Sequence, residues 1–541
     1  MDSQLITPTA IEADNFRVTY PGVSAPALQN ITLSLKPGER VLLLGPSGSG
    51  KSTFISSLVG LVPHSTYAEI DGELTVFQQS LWSSYPADLS QVVGVVFQDP
   101  DSQLTMLTVR EEIAFGLENR NVDPARMDER IESVLRTVGL EGMADTTVDQ
   151  LSGGMKQRLV IAALLAMEPR ILVLDEPTSN LDPRGVQDIV AVLTALAERH
   201  EDMTIILVEH QLDPILPLVE RVIVFNESGE VIADGPRDQI FSGSAERLGN
   251  VWVPTAVTAE QHRQAGTIAR WCAPADQPKT RVSASDAPPI LTLDRVAFSY
   301  RRGIPILHNV SLALYPGEIC ALVGSNGSGK STLASLAVGL YAPDGGTVSL
   351  GGTPLPALHA AERARRIGYV FQNPEHQFVR DTVREEVRYN PHPLTEDDVD
   401  KTLAALRLSP FAERNPFSLS HGQKRRLSAA TMLVAPKEVL VLDEPTFGQD
   451  PSALEELLHM ITVLAQQGTA VIIVTHDMNI VWRVAHRMVV LHDGAVIGDG
   501  PPPSLFKDRG LCSRSGIHPP SVARYHFSEN LHPSTMVRRQ P

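Results

Sequence analysis

Short runs of consecutive apolar residues recur at matching places in the two halves of the chain. Residues 41–44 and 319–323 are such runs, and each leads through a glycine-rich stretch into a longer apolar stretch, 53–61 or 332–340. A short apolar run bounded by turn residues is typical of a strand buried on both faces, and the longer stretches predict helices. The repeated order of strand, loop and helix predicts two similar α/β domains in tandem.

The polar positions divide the chain further. Alternation at 16–20 and at 291–300 predicts a half-buried strand at the start of each half. Apolar periodicity lapses in the middle of the chain, and the end is rich in His, Pro, Ser and Arg. We therefore predict a first domain at 1–243, a linker at 244–289, a second domain at 290–507 and a partly disordered C-terminal tail at 508–541.

Composition narrows the class of protein. No apolar run is long enough to cross a bilayer, so any membrane role is expected to be peripheral. The net charge of −17 disfavours nonspecific binding to nucleic acid. Three widely spaced cysteines indicate neither a zinc site nor a disulfide framework, and the N-terminal residues do not resemble a secretory signal. We expect a protein of the reducing cytoplasm.

The two glycine-rich stretches fit the phosphate-loop pattern. They read Gly45-Pro46-Ser47-Gly48-Ser49-Gly50-Lys51-Ser52-Thr53 and Gly324-Ser325-Asn326-Gly327-Ser328-Gly329-Lys330-Ser331-Thr332. The glycines let main-chain N–H groups converge on phosphate oxygens, the lysine reaches the β- and γ-phosphates, and the serine hydroxyl joins the Mg²⁺ shell. Two incidental Gly/Ser-rich turns are the alternative. Because each complete motif lies between a strand and a helix, the pattern favours two nucleoside triphosphate sites.

Two acids follow a buried strand in each half. The runs at 171–174 and 439–442 end in Asp175-Glu176 and Asp443-Glu444. Acids at such strand ends are expected near the Mg²⁺ and the water of a phosphate loop. We interpret Asp175 and Asp443, with Ser52 and Ser331, as Mg²⁺ ligands, and Glu176 and Glu444 as the groups that polarise the attacking water.

Four polar residues take matching positions after other strands. Gln98 and Gln372 are expected to contact Mg²⁺ or the attacking water, and His210 and His476 complete the series one strand after the acids. An isolated glutamine is more often a surface residue, and an isolated histidine is more often structural. Their recurrence in one order favours the catalytic interpretation.

Two further elements recur. Tyr20 precedes its phosphate loop by 25 residues and Tyr300 by 24, so either ring could stack on an adenine, although each alone fits a strand aromatic in a small core. The other element precedes a helix and contains Ser152-Gly153-Gly154 in the first half and Ser420-His421-Gly422 in the second. A Ser-Gly pair there is usually only a cap, but its place shortly before the acids indicates a nucleotide contact.

The series aromatic, phosphate loop, Gln, Leu-Ser-x-Gly, Asp-Glu and His resembles the nucleotide-binding domain of an ATP-binding-cassette ATPase, twice over. The segments that follow Gln98 and Gln372 are similar to those of energy-coupling-factor vitamin and metal transporters. The resemblance implies ATP and Mg²⁺ as cofactors, and an α/β core with a helical subdomain in each half.

The resemblance also implies head-to-tail pairing of the halves. Site one would combine the first phosphate loop with Ser420-His421-Gly422, and site two would combine the second loop with Ser152-Gly153-Gly154. His421 stands where the family has glycine, and Phe447-Gly448-Gln449-Asp450 replaces the usual segment after Glu444. Both departures would fall on site one, which we expect to hydrolyse ATP more slowly.

The function that the resemblance implies is ATP hydrolysis that powers an importer for a vitamin, a vitamin precursor or a transition-metal ion. It implies integral-membrane partners, a coupling protein and a substrate-capture protein, at the cytoplasmic face of the cell membrane. We expect the segments after Gln98 and Gln372, including Glu111-Glu112 and Glu385-Glu386, to face the coupling protein, and we expect no nucleic-acid partner.

Two alternatives remain. A sugar importer also fuses two cassettes, but there one half is expected to lack its catalytic acid, whereas Glu176 and Glu444 are both present. A non-transport protein of the family acting on ribosomes or DNA is expected to carry a long charged linker or cysteine clusters. The sequence shows neither feature.

Overall fold

The structure is a computed structural model that describes residues 9–23, 25–179, 181–242, 248, 250–275, 288–301, 303–445 and 450–529. The chain divides into two compact units, Met1–Thr258 and Ala259–Pro541. The division falls inside the segment predicted as a linker, 244–289. Residues 276–287 of that segment lie outside the described residues.

The first unit contains the following elements. Its strands are β1 Ile11–Thr19, β2 Leu28–Leu35, β3 Arg40–Leu44, β4 Glu69–Val76, β5 Gln79–Ser80, β6 Val93–Val96, β7 Ile171–Asp175, β8 Thr204–Val208, β9 Arg221–Phe225 and β10 Val231–Pro236. Its helices are α1 Lys51–Leu58, α2 Leu61–His64, α3 Pro86–Leu89, α4 Val109–Asn119, α5 Pro124–Thr137, α6 Gly153–Ala166, α7 Pro183–Arg199, α8 Leu212–Ile215 and α9 Arg237–Ser242, and α10 Thr255–Gln264 begins there.

The strands of the first unit form two sheets. One has the order β10-β9-β3-β8-β7-β6 and is parallel except for β10, and the other is antiparallel with the order β2-β1-β4-β5. Every residue of β7 and β8 is buried, because the parallel strands pack against side chains on both faces. Since β3, β6, β7 and β8 run in one direction, the loops after them meet at one edge of the sheet.

The second unit repeats this architecture. Its strands are β11 Leu291–Phe298, β12 Leu307–Leu314, β13 Ile319–Val323, β14 Gly345–Leu350, β15 Thr353–Pro354, β16 Ile367–Val370, β17 Val439–Asp443, β18 Ala470–Val474, β19 Arg487–His492 and β20 Ala495–Gly500, in sheets ordered β16-β17-β18-β13-β19-β20 and β12-β11-β14-β15. Its helices are α11 Ile268–Trp271, α12 Lys330–Ala337, α13 Ala360–Arg366, α14 Val383–Arg388, α15 Glu396–Ala405, α16 His421–Leu433, α17 Pro451–Gln466, α18 Met478–Val484, α19 Pro502–Leu505, α20 Arg509–Ser515 and α21 Ser521–Glu529.

The predicted weak order after residue 507 is wrong for residues 508–529. There α20 and α21 pack with Trp482, and Leu511, Cys512 and Ala523 are buried in the same core. Part of the predicted linker joins this core as well, because the Trp482 indole donates to the Cys272 carbonyl at 3.1 Å. Burial of apolar surface orders both segments. Residues 530–541 of the predicted tail lie outside the described residues.

In each of the acidic pairs Glu111-Glu112 and Glu385-Glu386, the second glutamate is not a solvated helix charge. Glu112 and Glu386 are buried, and each carboxylate accepts two backbone N–H bonds of the preceding loop, from Thr105 and Met106 or from Val379 and Arg380, at 2.7–2.8 Å. These two carboxylates are therefore not available to a partner, and the expectation that their segments face a coupling protein stays a prediction. Each one fixes its loop against its own helix.

We expect Glu386→Ala to lower the free energy of unfolding by about 1–3 kcal/mol, because it leaves two backbone N–H groups without their acceptor. The exposed neighbour Glu385 provides the matched control, and Glu385→Ala is expected to change stability by a few tenths of a kcal/mol. Denaturant unfolding of the full chain measures both. Equal effects of the two substitutions would contradict the bracing role of Glu386.

Candidate functional site

The phosphate loops follow β3 and β13, at the sheet edge where the acids after β7 and β17 and the histidines after β8 and β18 also lie. Gly50 and Gly329 precede α1 and α12 with φ of 86° and 96°. A Cβ at Gly50 would lie 2.2 Å from the Ala27 carbonyl oxygen, so only glycine fits this turn. The lysines that begin the two helices fold back over the loops. Lys51 Nζ donates to the carbonyl of Gly45 at 2.7 Å, and Lys330 Nζ donates to that of Gly324 at 2.9 Å.

The serine that follows each lysine lies beside the first acid. Ser52 Oγ donates to Asp175 Oδ2 at 3.3 Å. Burial, and then the charge of Glu176, raises the pKa of Asp175 to about 6. For Asp443, burial followed by the charge of Glu444 raises the pKa to about 6 as well. Among the described residues its buried Oδ1 has no hydrogen-bond partner.

These residues suit Mg²⁺, which prefers one or two carboxylates and a hydroxyl together with the phosphate oxygens of a nucleotide. The unpartnered Oδ1 of Asp443 is the observation that fits such an ion best. No three His, Cys, Asp or Glu side chains in the described ranges form a metal-binding group by themselves. The protein side chains and the phosphate oxygens of the nucleotide would thus both supply ligands to the ion.

Magnesium-dependent nucleotide binding should weaken as the pH falls. The two pKa values lie above the ordinary aspartate value, so Asp175 and Asp443 are ionised above about pH 6 and become protonated below it. Since Mg²⁺ requires the ionised form, we expect about tenfold weaker binding per site at pH 5 than at pH 7. Nucleotide titrations with Mg²⁺ and with a chelator measure this. An Asp175→Asn, Asp443→Asn chain that keeps the full Mg²⁺-dependent pH profile would contradict it.

The second acid of each pair is held by a histidine. His210 Nε2 lies 2.9 Å from Glu176 Oε1, and His476 Nδ1 lies 2.9 Å from Glu444 Oε1. Although burial opposes ionisation, the neighbouring imidazolium lowers the pKa of both glutamates, and each glutamate raises the pKa of its histidine. In each pair the two side chains therefore favour each other's ionised form.

The two glutamines differ. Gln98 Nε2 donates to Glu176 Oε2 at 2.8 Å, whereas Gln372 is exposed and has no hydrogen-bond partner among the described residues. Gln372 thus lacks the hydrogen bond that Gln98 makes, and its predicted contact with Mg²⁺ or the attacking water stays a prediction. Tyr369 instead donates its hydroxyl to Asp443 Oδ2 at 3.2 Å. Tyr369 lies one residue before the end of β16, and Val95 takes the same place in β6. A hydroxyl-bearing residue in a buried strand, where the other half has valine, was the sequence signal that could have indicated Tyr369.

Both predicted adenine-stacking tyrosines lie next to their phosphate loops. The hydroxyl of Tyr20 is 3.2 Å from Thr53 Oγ1, and that of Tyr300 is 3.1 Å from Thr332 Oγ1. The second unit adds Tyr341, whose ring stands at 90° to Tyr300 with the centroids 5.6 Å apart. Sequence reasoning missed Tyr341 because the first half has no aromatic residue at that place after its loop helix.

The serine of each Leu-Ser-x-Gly element caps a helix. Ser152 Oγ accepts from the backbone N–H of Met155, and Ser420 Oγ accepts from that of Gln423, both at 3.4 Å. Gly153 is exposed, with open space where a Cβ would stand, and α16 begins at His421. Residues 446–449, which carry most of the second predicted departure from the family pattern, lie outside the described residues.

The model of one protein family matches both halves of the chain. It is described as ABC transporter, and it matches residues 28–179 and 307–447. The chain belongs to the ABC transporter family. Its two matched regions are ATP-hydrolysing ABC domains in tandem, and such domains bind ATP with Mg²⁺ as the general partner ion. Among the described residues of this ABC protein, no helix combines the length and the apolar character needed to cross a bilayer.

Relatives of this ABC ATPase match almost end to end. The "Putative HMP/thiamine import ATP-binding protein YkoD" of Bacillus subtilis is 38% identical over 97% of this chain and 98% of its own length. A "Putative ABC transporter ATP-binding protein" of Methanosarcina acetivorans is 34% identical over 97% of this chain and 91% of its own. The solved structure "Model of ribosome-bound archaeal Pelota and ABCE1" matches with a TM-score of 0.62 at 20% identity, over 90% of this chain and 79% of that chain, which shows a shared fold alone.

Proposed function

We propose that this chain is the ATP-hydrolysing subunit of an energy-coupling-factor-type importer, and that the imported compound is HMP or thiamine. The observation that carries the proposal is the 38% identity, over 97% of the chain, to a relative named for HMP/thiamine import. A complete set of acid, histidine and phosphate-loop lysine in each unit supports a role that consumes ATP in both.

We assign the site residues as follows. The loop glycines and the lysines Lys51 and Lys330 hold the phosphates, because main-chain N–H groups and an ammonium group are the donors that phosphate oxygens need. The bound ion supplies charge neutralisation at the phosphates. Glu176 and Glu444 accept a hydrogen bond from the attacking water, and His210 and His476 keep these carboxylates ionised and oriented.

A cycle of ATP binding and hydrolysis can move the two units only if ATP stabilises one arrangement of them more than another. We propose that Ser152-Gly153-Gly154 and Ser420-His421-Gly422 each complete the site of the opposite unit by contacting the γ-phosphate. ATP then favours the closed pair, and hydrolysis removes that preference. The resulting opening and closing is the mechanical output.

That motion needs a membrane partner before it can move a solute. We propose that a coupling protein and a substrate-capture protein bind the chain at the cytoplasmic face of the membrane, with the segments after Gln98 and Gln372 in contact with the coupling protein. Exposed apolar side chains near these segments, Leu107 and Val379, support this placement.

Co-purification and uptake test the proposal together. The full chain, expressed with the membrane proteins encoded beside it, is reconstituted in vesicles and assayed for ATP-dependent uptake of HMP and thiamine. We expect uptake, and expect its loss in a Glu176→Gln, Glu444→Gln chain that still assembles. ATP-dependent uptake of a transition-metal ion would overturn the substrate assignment, and stable association with ribosomes in place of membranes would overturn the transport role.

A further inference from the structure

The backbone of each catalytic glutamate is strained. Glu176 has a φ of 52° and Glu444 a φ of 49°, in the left-handed region that side chains other than glycine rarely adopt. Their N–H groups donate to Val208 and Val474 at 2.8 and 2.9 Å. Such a conformation persists only where the surroundings hold it, so other residues must fix each turn.

In the first unit a second buried glutamate holds the turn. Glu209 is 3% exposed, and its Oε1 accepts from both the backbone N–H and the hydroxyl of Thr178, at 2.8 and 2.6 Å. Its Oε2 accepts from the backbone N–H of His210 at 3.1 Å. Glu209 therefore joins the segment that follows Glu176 to the histidine that orients Glu176.

The second unit has no acid at this place. Thr475 takes the position before His476, and its hydroxyl accepts from the backbone N–H of Asp477 at 3.0 Å. The turn is held instead by Arg425 of α16, which is 6% exposed and donates from Nη1 to the carbonyl of Glu444. In α6 the matching residue is Gln157, whose buried amide nitrogen has no hydrogen-bond partner among the described residues.

We propose that Glu209 and Arg425 are positioning residues that hold the catalytic glutamates, Glu209 acting on Glu176 and Arg425 on Glu444. The two units thus hold the same strained turn with different residues, one directly after β8 and the other in α16. This inference rests on the proposed roles of Glu176 and Glu444. Burial lowers the pKa of Arg425 to about 10, so the guanidinium remains charged at neutral pH.

Single-site chains test the proposal. In a Glu176→Gln chain only the second unit's glutamate remains, and there Arg425→Gln, which installs the residue of the first unit, should lower kcat about tenfold with KM for ATP unchanged. Arg425→Lys keeps the charge and should restore part of the rate. In a Glu444→Gln chain, Glu209→Thr should lower kcat by a similar factor.

The matched control is Arg426→Gln. Arg426 is also buried in α16 but donates to the Leu406 carbonyl. It should lower the Tm while leaving kcat unchanged, since a purely structural arginine does not act on Glu444. Arg425→Lys is measured alongside because it keeps the volume and charge that the fold needs.

The outcomes separate the inference from the function on which it rests. If the Glu176→Gln, Glu444→Gln chain still hydrolyses ATP, the proposed roles of the glutamates fail. If that chain is inactive but Arg425→Gln and Glu209→Thr leave kcat unchanged, only the positioning role fails. Equal losses of kcat from Arg425→Gln and Arg426→Gln would also overturn it.

Discussion

Glu444→Gln is expected to lower the ATPase rate of the assembled complex more than Glu176→Gln. Loss of a general base costs about 10²–10⁴ in rate at its own site, so each variant reports the turnover of the other site. In the proposed pairing His421 would restrict the backbone that a glycine leaves free at site one, and Glu176 already uses both oxygens for Gln98 and His210.

Glu444 is better placed for a water molecule. It gives Oε1 to His476, and Oε2 has no hydrogen-bond partner among the described residues. We therefore expect less than half of the wild-type rate in Glu444→Gln and more than half in Glu176→Gln. Steady-state phosphate release from complexes of matched composition measures both. Equal losses, or a larger loss from Glu176→Gln, would refute the asymmetry and leave two sites in place.

Lys51→Ala and Lys330→Ala are each expected to weaken ATP binding at their own site by about ten- to a hundredfold. Each change removes a charge-assisted contact to phosphate worth about 1.5–3 kcal/mol, and about 1.4 kcal/mol corresponds to a factor of ten. Both lysines are buried, and the loop carbonyls already orient them. Little reorganisation is then needed when phosphate arrives.

Titration of the full chain with ATP resolves the two sites, since each variant leaves the other intact. Lys401→Ala is the control, because Lys401 is exposed and pairs with Asp397 on the surface of α15. It should bind ATP at both sites as the wild type does. Unchanged affinity for ATP in both Lys51→Ala and Lys330→Ala would contradict the assignment of these loops as ATP-binding.

The sequence by itself determined the repeat, the strands that carry the acids and the two phosphate loops. Continuous apolar runs such as 171–174 and 439–442 leave little choice but a strand covered on both faces, and in the structure every residue of β7 and β17 is buried. The loops were equally predictable, because glycine at Gly50 and Gly329 satisfies a local backbone requirement. Local rules were sufficient for these elements.

Tertiary structure alone decided which polar residues are internal. Glu386 and Glu385 are adjacent acids in the sequence, yet one is 3% exposed beneath two backbone N–H donors and the other faces solvent. Glu209 and Arg425 are likewise ordinary charged residues until the fold places them against the turns of Glu176 and Glu444. Burial and hydrogen bonding depend on residues distant in the chain, so no local pattern of charge reveals which turns Glu209 and Arg425 hold in place.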